Sequence, residues 1–241
     1  MKLTLGILKA DDVLSELVEN HGEYPLMFER LLRIANKDAQ LKLEFVTYRV
    51  NEGCYPVDLD EVDAFILTGS KSSVYEQTPW VIELAEFLRT LHRHKKKYIG
   101  ICFGHQMVAH ALGGEAKLAE SGWSLGVKKA KLTVEAEPNI LSGKSFDLIY
   151  SHQDQVTVIA PGTEILASTD TCPIAATTLD NHILTFQGHP EFSPEFSRAL
   201  LQLRRAAYPP KVYAAAIASI EQSTDQYRVA KAMIDFCLAS Q

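Results

Sequence analysis

The sequence predicts an α/β protein with a single domain, in which helices flank a mostly parallel central sheet that carries a small antiparallel extension. Two observations support this fold class. Up to residue 112, short apolar runs alternate with segments of helical periodicity, as expected for strands buried on both faces of a sheet. Between residues 115 and 188, strand-like runs follow one another with few helices between them. This second pattern predicts antiparallel strands that return to the main sheet.

Length and composition are those of an ordinary globular domain. The chain has 241 residues, 46% of them hydrophobic, with 24 Lys and Arg against 30 Asp and Glu, so its formal net charge is −6. One domain over residues 1–241 is therefore expected. The acidic balance argues against a nucleic-acid surface. No run approaches the roughly 18 apolar residues that a membrane span needs, and the short N-terminal run, which ends in acids, predicts a first strand rather than a signal peptide.

Each element of the first half follows from a local pattern. Apolar runs predict strands at residues 3–8, 41–50, 64–67 and 98–101. Apolar residues at helical spacing predict helices at residues 24–37 and 79–93, the second with Pro79 in its first turn, and a third helix that ends at Leu112 before two glycines.

The second half is predicted to be rich in strands and then helical. The strand candidates are residues 127–134, 148–158, 165–168, 174–178 and 183–186. Three helices are predicted to close the chain, at residues 194–208, 212–222 and 226–238.

The four cysteines, at positions 54, 102, 172 and 237, contain no C-x-x-C pair, and no Cys/His cluster has the spacing of zinc ligands. This pattern predicts a reducing, cytoplasmic environment with mostly buried thiols and no metal site. At most one of the four thiols is expected to take part in a reaction.

Cys102 stands between two glycines where a predicted strand meets a predicted helix. The pattern Gly100-x-Cys102-x-Gly104 has the form of a nucleophile elbow, in which small neighbours let the chain pass through a sharp, strained turn. The start of a helix also favours a thiolate, because the positive end of the helix dipole lies there. The alternative is a buried cysteine at an ordinary strand end.

His189 and Glu191 lie two residues apart in Gln-Gly-His-Pro-Glu. In an extended chain such residues point the same way, so the carboxylate can orient the imidazole. Together they would supply the base and its orienting group for nucleophilic catalysis. Taken alone, the segment is more typical of a surface turn.

The two segments together resemble the class I glutamine amidotransferase family, which has a Cys-His-Glu triad on a flavodoxin-like α/β fold. The resemblance covers essentially the whole chain. It implies that Cys102 is the nucleophile, His189 the base and Glu191 the orienting group. The implied reaction attacks a γ-glutamyl amide to give a γ-glutamyl thioester, from which water releases glutamate, and it needs no cofactor.

A loop of this family contributes a backbone N–H to the oxyanion hole, and Ile-Leu-Thr-Gly-Ser at residues 66–70 resembles it. The resemblance implies that Gly69 or Ser70 supplies one donor and Phe103 the other. The family usually has Gly-Gly-Pro where this chain has Gly69-Ser70-Lys71, so the turn geometry is expected to differ. An ordinary turn at a strand end is the alternative.

Substrate binding is implied for three further residues. The segment Ser-His-Gln-Asp-Gln-Val at residues 151–156 resembles a family segment with the pattern Ser-His-x-Asp-x-Val. By this resemblance Ser151, Asp154 and Gln106 would hold the α-amino and α-carboxylate groups of the glutamyl substrate. The alternative for the segment is a capped β-turn.

Nothing in the chain resembles an ATP-binding or acceptor domain, so the resemblance implies a stand-alone hydrolase or one subunit that passes ammonia to a synthetase. Gly188 replaces the aromatic residue common before His-Pro-Glu, as in a stand-alone subgroup that resembles guanylate-synthase glutaminase domains and includes γ-glutamyl peptidases. A glycine there is expected to leave more room for the leaving group. Two other interpretations stay open: a catalytically quiet binding or regulatory protein, and a redox or stress-related protein that uses its elbow cysteine.

Overall fold

A computed structural model of the chain describes residues 1–37, 41–133, 141 and 143–239. The strands are β1 Lys2–Lys9, β2 Lys42–Arg49, β3 Ala64–Leu67, β4 Lys97–Ile101, β5 Glu115–Leu118, β6 Ser124–Leu132, β7 Ser145–His152, β8 Asp154–Val158, β9 Thr163–Ser168, β10 Ala176–Leu179 and β11 Ile183–Phe186. The helices are α1 Ser15–His21, α2 Tyr24–Ala35, α3 Pro79–Arg93, α4 Phe103–Ala111, α5 Pro194–Leu203, α6 Pro210–Ser219 and α7 Gln226–Leu238.

The main sheet has nine strands in the order β2-β1-β3-β4-β11-β10-β9-β6-β7. The five strands from β2 to β11 are mutually parallel. The strands from β10 to β7 are added to this core with antiparallel pairing. The predicted α/β fold class is confirmed, including the return of the second half of the chain to the main sheet through β11.

Helices cover both faces of the sheet, which explains why its central strands are buried and mostly apolar. On one face, α2 and α7 bury Phe28, Leu31, Val229 and Met233 against the sheet. On the other face, α3 and α4 bury Leu84, Leu88, Met107 and Val108. Strands β3, β4 and β11 lie between these layers, and every one of their residues is buried. No helix among the described residues is long and apolar enough to cross a membrane.

One predicted strand is wrong in a way that matters for the site. Residues 148–158 were expected to be one strand, but the chain turns at Gln153, and β7 and β8 belong to different sheets. β8 pairs with β5, a strand that the sequence did not predict. The turn is stabilised by a hydrogen bond between His152 Nδ1 and the Asp154 carbonyl, 2.8 Å. An apolar pattern that continues through a turn carries no information about which sheet each half joins.

Smaller differences concern helix boundaries. Helix α1, which was not predicted, has only Leu17 buried, so it lacks a strong apolar period. The helix predicted at residues 194–208 ends at Leu203 and is followed by a short 3₁₀ turn, Arg205–Ala207. The helix predicted at residues 212–222 is α6, which begins and ends earlier. Val134, the predicted end of the strand that became β6, lies outside the described residues.

Candidate active site

The predicted catalytic residues follow three neighbouring parallel strands. Gly69 and Ser70 come after β3, Cys102 comes after β4, and His189 comes shortly after β11. Because β3, β4 and β11 are parallel neighbours in the sheet, their carboxyl ends meet at one edge. Residues far apart in sequence are thereby brought together.

Cys102 lies on the sharp turn that the glycine pattern predicts. Its φ is +52°, in the left-handed region that non-glycine residues rarely adopt. A Cβ on Gly100 would lie 2.4 Å from the Gly104 carbonyl oxygen, and a Cβ on Gly104 would lie 2.7 Å from the Leu67 carbonyl oxygen. Both glycines are therefore required by the close approach of β3, β4 and α4, and the strained turn presents Cys102 at the first turn of α4.

His189 connects the cysteine to the carboxylate. Its Nδ1 lies 2.8 Å from Glu191 Oε1, and its ring lines the same cavity as Cys102. The ring stacks on Phe192 with a centroid separation of 4.0 Å, and the His189 backbone N–H donates to the Ile149 carbonyl over 2.7 Å. The imidazole is thus held from both sides, with Nδ1–H assigned as the donor to Glu191.

The site favours the imidazolium form of His189. Burial lowers the pKa of this histidine, but the neighbouring Glu191 and Cys102 raise it by more, so the net effect is a pKa above the usual value. The side chain of Glu191 is fully buried, so its charge acts on the ring with little screening by solvent. The arrangement therefore holds a positive charge beside the sulfur of Cys102.

Backbone N–H groups surround the same position. A Cβ on Gly69 would lie 3.0 Å from His189 Cε1 and 3.7 Å from Cys102 Cβ, so this backbone passes directly over the pair. The N–H groups of Gly69 and Ser70 have no hydrogen-bond acceptor within residues 1–37, 41–133, 141 and 143–239. Phe103 is the first residue of α4, where an N–H has no acceptor in its own helix. All three predicted oxyanion donors are therefore available near Cys102.

A small cavity of about 40 Å³ opens onto Cys102. Some of the residues that line it were predicted as site residues and others were not. The lining residues are Asp11, Tyr24, Gly69, Ser70, Lys71, Cys102, Ser151, His189, Phe192, Leu200 and Arg204. A γ-glutamyl group would therefore have to extend past the rim or displace side chains there.

Two of the three predicted substrate-binding residues lie outside this cavity. The Gln106 amide is buried and donates to the Asp154 carbonyl over 2.7 Å and to Gln187 Oε1 over 3.1 Å. The Asp154 carboxylate accepts hydrogen bonds from the hydroxyls of Ser73 and Tyr75. Both side chains are occupied in joining β8 to the loop after β3 and to α4. Ser151 does line the cavity.

The structure instead brings charged residues that the sequence did not single out to the cavity. Asp11 is 7% exposed and accepts from the backbone N–H and the Nζ of Lys71, both at 2.9 Å. Arg204 follows the last residue of α5 and lines the same cavity. The position of Asp11 directly after an apolar strand was a usable signal, whereas nothing in the sequence pointed to Arg204. Charges of both signs next to the nucleophile suit an α-amino acid group.

Gly188 does not widen the cavity, contrary to expectation. A Cβ there would lie 3.0 Å from Leu148 Cβ and 3.0 Å from the Tyr150 ring, so position 188 faces the core between β11 and β7. Tyr150 already occupies the space that an aromatic residue at 188 would need. The glycine is therefore explained by packing rather than by room for a leaving group.

Comparison with known proteins finds relatives of similar sequence. A glutamine amidotransferase-like protein of Schizosaccharomyces pombe is 32% identical over 85% of this chain and 86% of its own length. Gamma-glutamyl peptidase 3 of Arabidopsis thaliana is 32% identical, but the match spans 61% of this chain and 63% of the peptidase, less than two thirds of either.

Solved structures share the fold at low sequence identity. A glutamine amidotransferase from Thermotoga maritima superimposes with a TM-score of 0.73 at 15% identity, covering 98% of this chain and 96% of that one. A glutamine amidotransferase from Methylobacillus flagellatus gives a TM-score of 0.74 at 18% identity, covering 98% and 94%. The sequence model of the family described as glutamine amidotransferase class-I matches residues 27–203, which include the strand ends, the elbow and the His-Pro-Glu segment. The chain therefore belongs to the class I glutamine amidotransferase family.

Proposed function

We propose that the protein hydrolyses γ-glutamyl amides through a covalent thioester on Cys102. One observation carries the proposal: His189 lies beside the elbow cysteine at one cavity, and its Nδ1 lies 2.8 Å from the buried carboxylate of Glu191. This arrangement supports the roles of nucleophile, base and orienting group that we propose for Cys102, His189 and Glu191.

The residues support a two-step reaction. The Cys102 thiolate attacks the γ-carbonyl carbon, and the backbone N–H groups of Gly69 or Ser70 and of Phe103 stabilise the negative charge that develops on oxygen. His189 gives its proton to the departing amine as the C–N bond breaks, leaving the thioester. Water then loses a proton to His189 and attacks the thioester, which releases glutamate and restores Cys102.

The charges around the cavity favour a glutamyl group as the part that is recognised. The Asp11 carboxylate suits the α-ammonium group, and the Arg204 guanidinium suits the α-carboxylate. The Ser151 hydroxyl can pair with either group, because it can both donate and accept a hydrogen bond. Relatives named gamma-glutamyl peptidases, such as the Arabidopsis protein, support amides of glutamate other than glutamine as substrates.

The test is a screen for glutamate release from glutamine and from γ-glutamyl peptides, with Cys102→Ser and Cys54→Ser compared. Cys54 is exposed and does not line the cavity beside Cys102, so it is a matched control. We expect Cys102→Ser to retain less than about a tenth of the activity, because a nucleophile contributes several kcal/mol to lowering the barrier. Equal activity of the two variants would contradict the proposal.

A glutaminase that passes ammonia to a synthetase partner is the second candidate. The cavity of about 40 Å³ favours it, because ammonia is the smallest leaving group of this class. This candidate predicts that glutamine is strongly preferred over every γ-glutamyl peptide in the same screen, whereas the first predicts measurable kcat/KM for peptides.

A further inference from the structure

A second cavity lies at the edge of the sheet away from the candidate active site. Its volume is about 460 Å³, which is ordinary for a small-molecule site, and residues of β4, β9, β10 and α7 line it. One of them, Lys97, is the first residue of β4, the strand whose other end leads into Cys102. We call this space the distal cavity.

The side chain of Lys97 reaches the wall of the distal cavity. Residues two apart in a strand share a face, and Ile99 and Ile101 of β4 belong to the same core cluster as Phe236 of α7. The Lys97 Nζ lies 4.5 Å from the centroid of the Phe236 ring and donates to the Asn181 carbonyl over 2.6 Å. Phe236 and Asn181 both line the cavity, so the ammonium lies between two of its lining residues.

The Lys97 ammonium has few partners for a buried charge. The residue is 4% exposed, and in the described part of the chain its only oxygen acceptor is the Asn181 carbonyl, without an ion pair to any carboxylate. Lysines are almost never fully buried unless they are paired. Burial lowers the pKa of Lys97, because the charged form loses its hydration. An ammonium has three N–H donors, so a carboxylate that entered the cavity would gain from pairing with it.

The rim of the distal cavity carries the opposite charge. Glu164, Asp180 and Asp235 are exposed carboxylates that line it. Asp180 and Asp235 pair with lysines outside the lining, whereas Glu164 forms no ion pair among the described residues. An anion alone would be attracted by Lys97 but repelled by this rim. A ligand that also carries a cation suits both ends of the cavity.

The two charges of such a ligand must be separated. No rim carboxylate lies close enough to Lys97 to pair with it, so a cation directly beside the ligand's carboxylate would not reach the rim. The buried side chains of Leu166 and Phe236 also line the cavity. Leu166 lies two residues after Glu164 in β9 and so shares its face of the sheet. An aliphatic chain between the two charges therefore matches the walls.

We propose that the distal cavity binds an ω-amino carboxylate, with its carboxylate on the Lys97 ammonium, its methylene chain against Leu166 and Phe236, and its ammonium among the rim carboxylates. The proposed hydrolysis does not use this cavity. The inference is therefore tested by binding alone, whatever the protein hydrolyses.

Binding is measured by titrating ¹⁵N-labelled protein with 6-aminohexanoate and following the amide chemical shifts. Norleucine is the matched probe, because it has the same atoms and charges but carries its ammonium beside the carboxylate. Hexanoate lacks the ammonium. We expect 6-aminohexanoate to bind with a Kd at least about threefold below those of norleucine and hexanoate, because only this probe pairs with both Lys97 and the rim.

Replacing Lys97 by methionine removes the ammonium and keeps an unbranched apolar side chain. Lys96→Met is the matched control, because Lys96 pairs with Asp60 and does not line the distal cavity. We expect the Kd for 6-aminohexanoate to rise at least about tenfold in Lys97→Met, as for the loss of a hydrogen bond between charged groups, and to keep its wild-type value in Lys96→Met.

Replacing Glu164 by glutamine tests the rim without a change in the core. Glu120→Gln is its control, because Glu120 is also exposed and lies outside the lining. We expect the Kd for 6-aminohexanoate to rise about two- to fivefold in Glu164→Gln, as for the loss of an exposed ion pair, and the Kd for hexanoate not to rise.

Three results overturn the inference: no binding of 6-aminohexanoate to the wild type, equal Kd values for the three probes, or a wild-type Kd in either cavity variant with a wild-type circular dichroism spectrum. An equal loss of affinity in the matched control also overturns it. If Lys97→Met does not have the wild-type circular dichroism spectrum, Glu164→Gln alone decides.

Discussion

Replacing Glu191 by glutamine tests the third member of the candidate triad with the smallest change of shape. The amide oxygen can keep the place of Oε1, 2.8 Å from His189 Nδ1, and accept the same hydrogen bond. The new amide NH₂ then takes the place of Oε2, which is buried and has no hydrogen-bond partner among the described residues. The fold therefore has no reason to change, and only the negative charge is lost.

The magnitude follows from that lost charge. A hydrogen bond to a charged group contributes about 1.5–3 kcal/mol and one between neutral groups about 0.5–1.5 kcal/mol. The difference, on the order of 1.4 kcal/mol, corresponds to about a tenfold fall in kcat. The fall reaches up to about 10⁴ only if the amide turns its NH₂ toward His189 and selects the wrong tautomer, as in serine triads.

The pH dependence of kcat provides a second, independent test of Glu191. The Glu191 carboxylate raises the pKa of His189 in the folded protein, so its removal lowers that pKa. His189 then loses its proton at lower pH, and the alkaline limb of the kcat profile moves toward lower pH.

The assay measures glutamate release between about pH 5 and about pH 10 for the wild type, Glu191→Gln and Glu195→Gln. Glu195 is an exposed carboxylate four residues away on α5 and serves as the control. An unchanged kcat together with an unmoved profile in Glu191→Gln would refute the assignment of Glu191, and an equal effect of Glu195→Gln would show that the change is not specific to the triad.

Three further predictions concern the surroundings of the site and the stability of the fold. Ser70→Pro removes one backbone N–H donor, so kcat should fall about 10²- to 10³-fold in a variant with wild-type circular dichroism; an unaltered kcat would leave Gly69 as the donor of that loop. Gly188→Phe should lower Tm without changing the preference between glutamine and γ-glutamyl peptides, because its Cβ already lies 3.0 Å from the Tyr150 ring and overpacking costs about 1–3 kcal/mol; a changed preference with an unchanged Tm would contradict this. Burial, together with nearby cations, lowers the pKa of His182 to about 4. As the pH falls, the unfolded chain therefore binds the proton first, and the free energy of unfolding decreases between about pH 6.5 and about pH 4, by up to about 3 kcal/mol. Urea denaturation should show a shallower loss for His182→Gln, and an identical pH dependence of the two proteins would refute this prediction.

The elbow and the His-Pro-Glu segment could be predicted because their chemistry is local. The steric demand at Gly100 arises from Gly104, only four residues away, and the orientation of Glu191 toward His189 needs only one intervening residue. The meeting of these segments could be expected because parallel strands align their carboxyl ends, as β4 and β11 do.

The lining of the cavity could not be predicted in the same way. Gln106 and Asp154 match a family pattern, yet their side chains form hydrogen bonds inside the protein. The Gln106 amide donates to a backbone and a side-chain acceptor, and the Asp154 carboxylate accepts from two hydroxyl groups. Which polar side chain faces a cavity and which is satisfied elsewhere depends on contacts between residues more than 40 positions apart, as for Gln106 and Asp154. Such contacts leave no trace in local spacing.

By itself, the sequence determined the α/β class, the strained turn at Cys102 and the pairing of His189 with Glu191, because apolar periodicity and close steric contact act over a few residues. Only the tertiary structure decided that Asp11 and Arg204 border the nucleophile, that Gly188 faces Tyr150, and that Lys97 borders a second cavity. The physical reason is that cavities form between elements. Their lining is set by how the helices α2, α5 and α7 pack against the sheet, and no single segment of the chain encodes that arrangement.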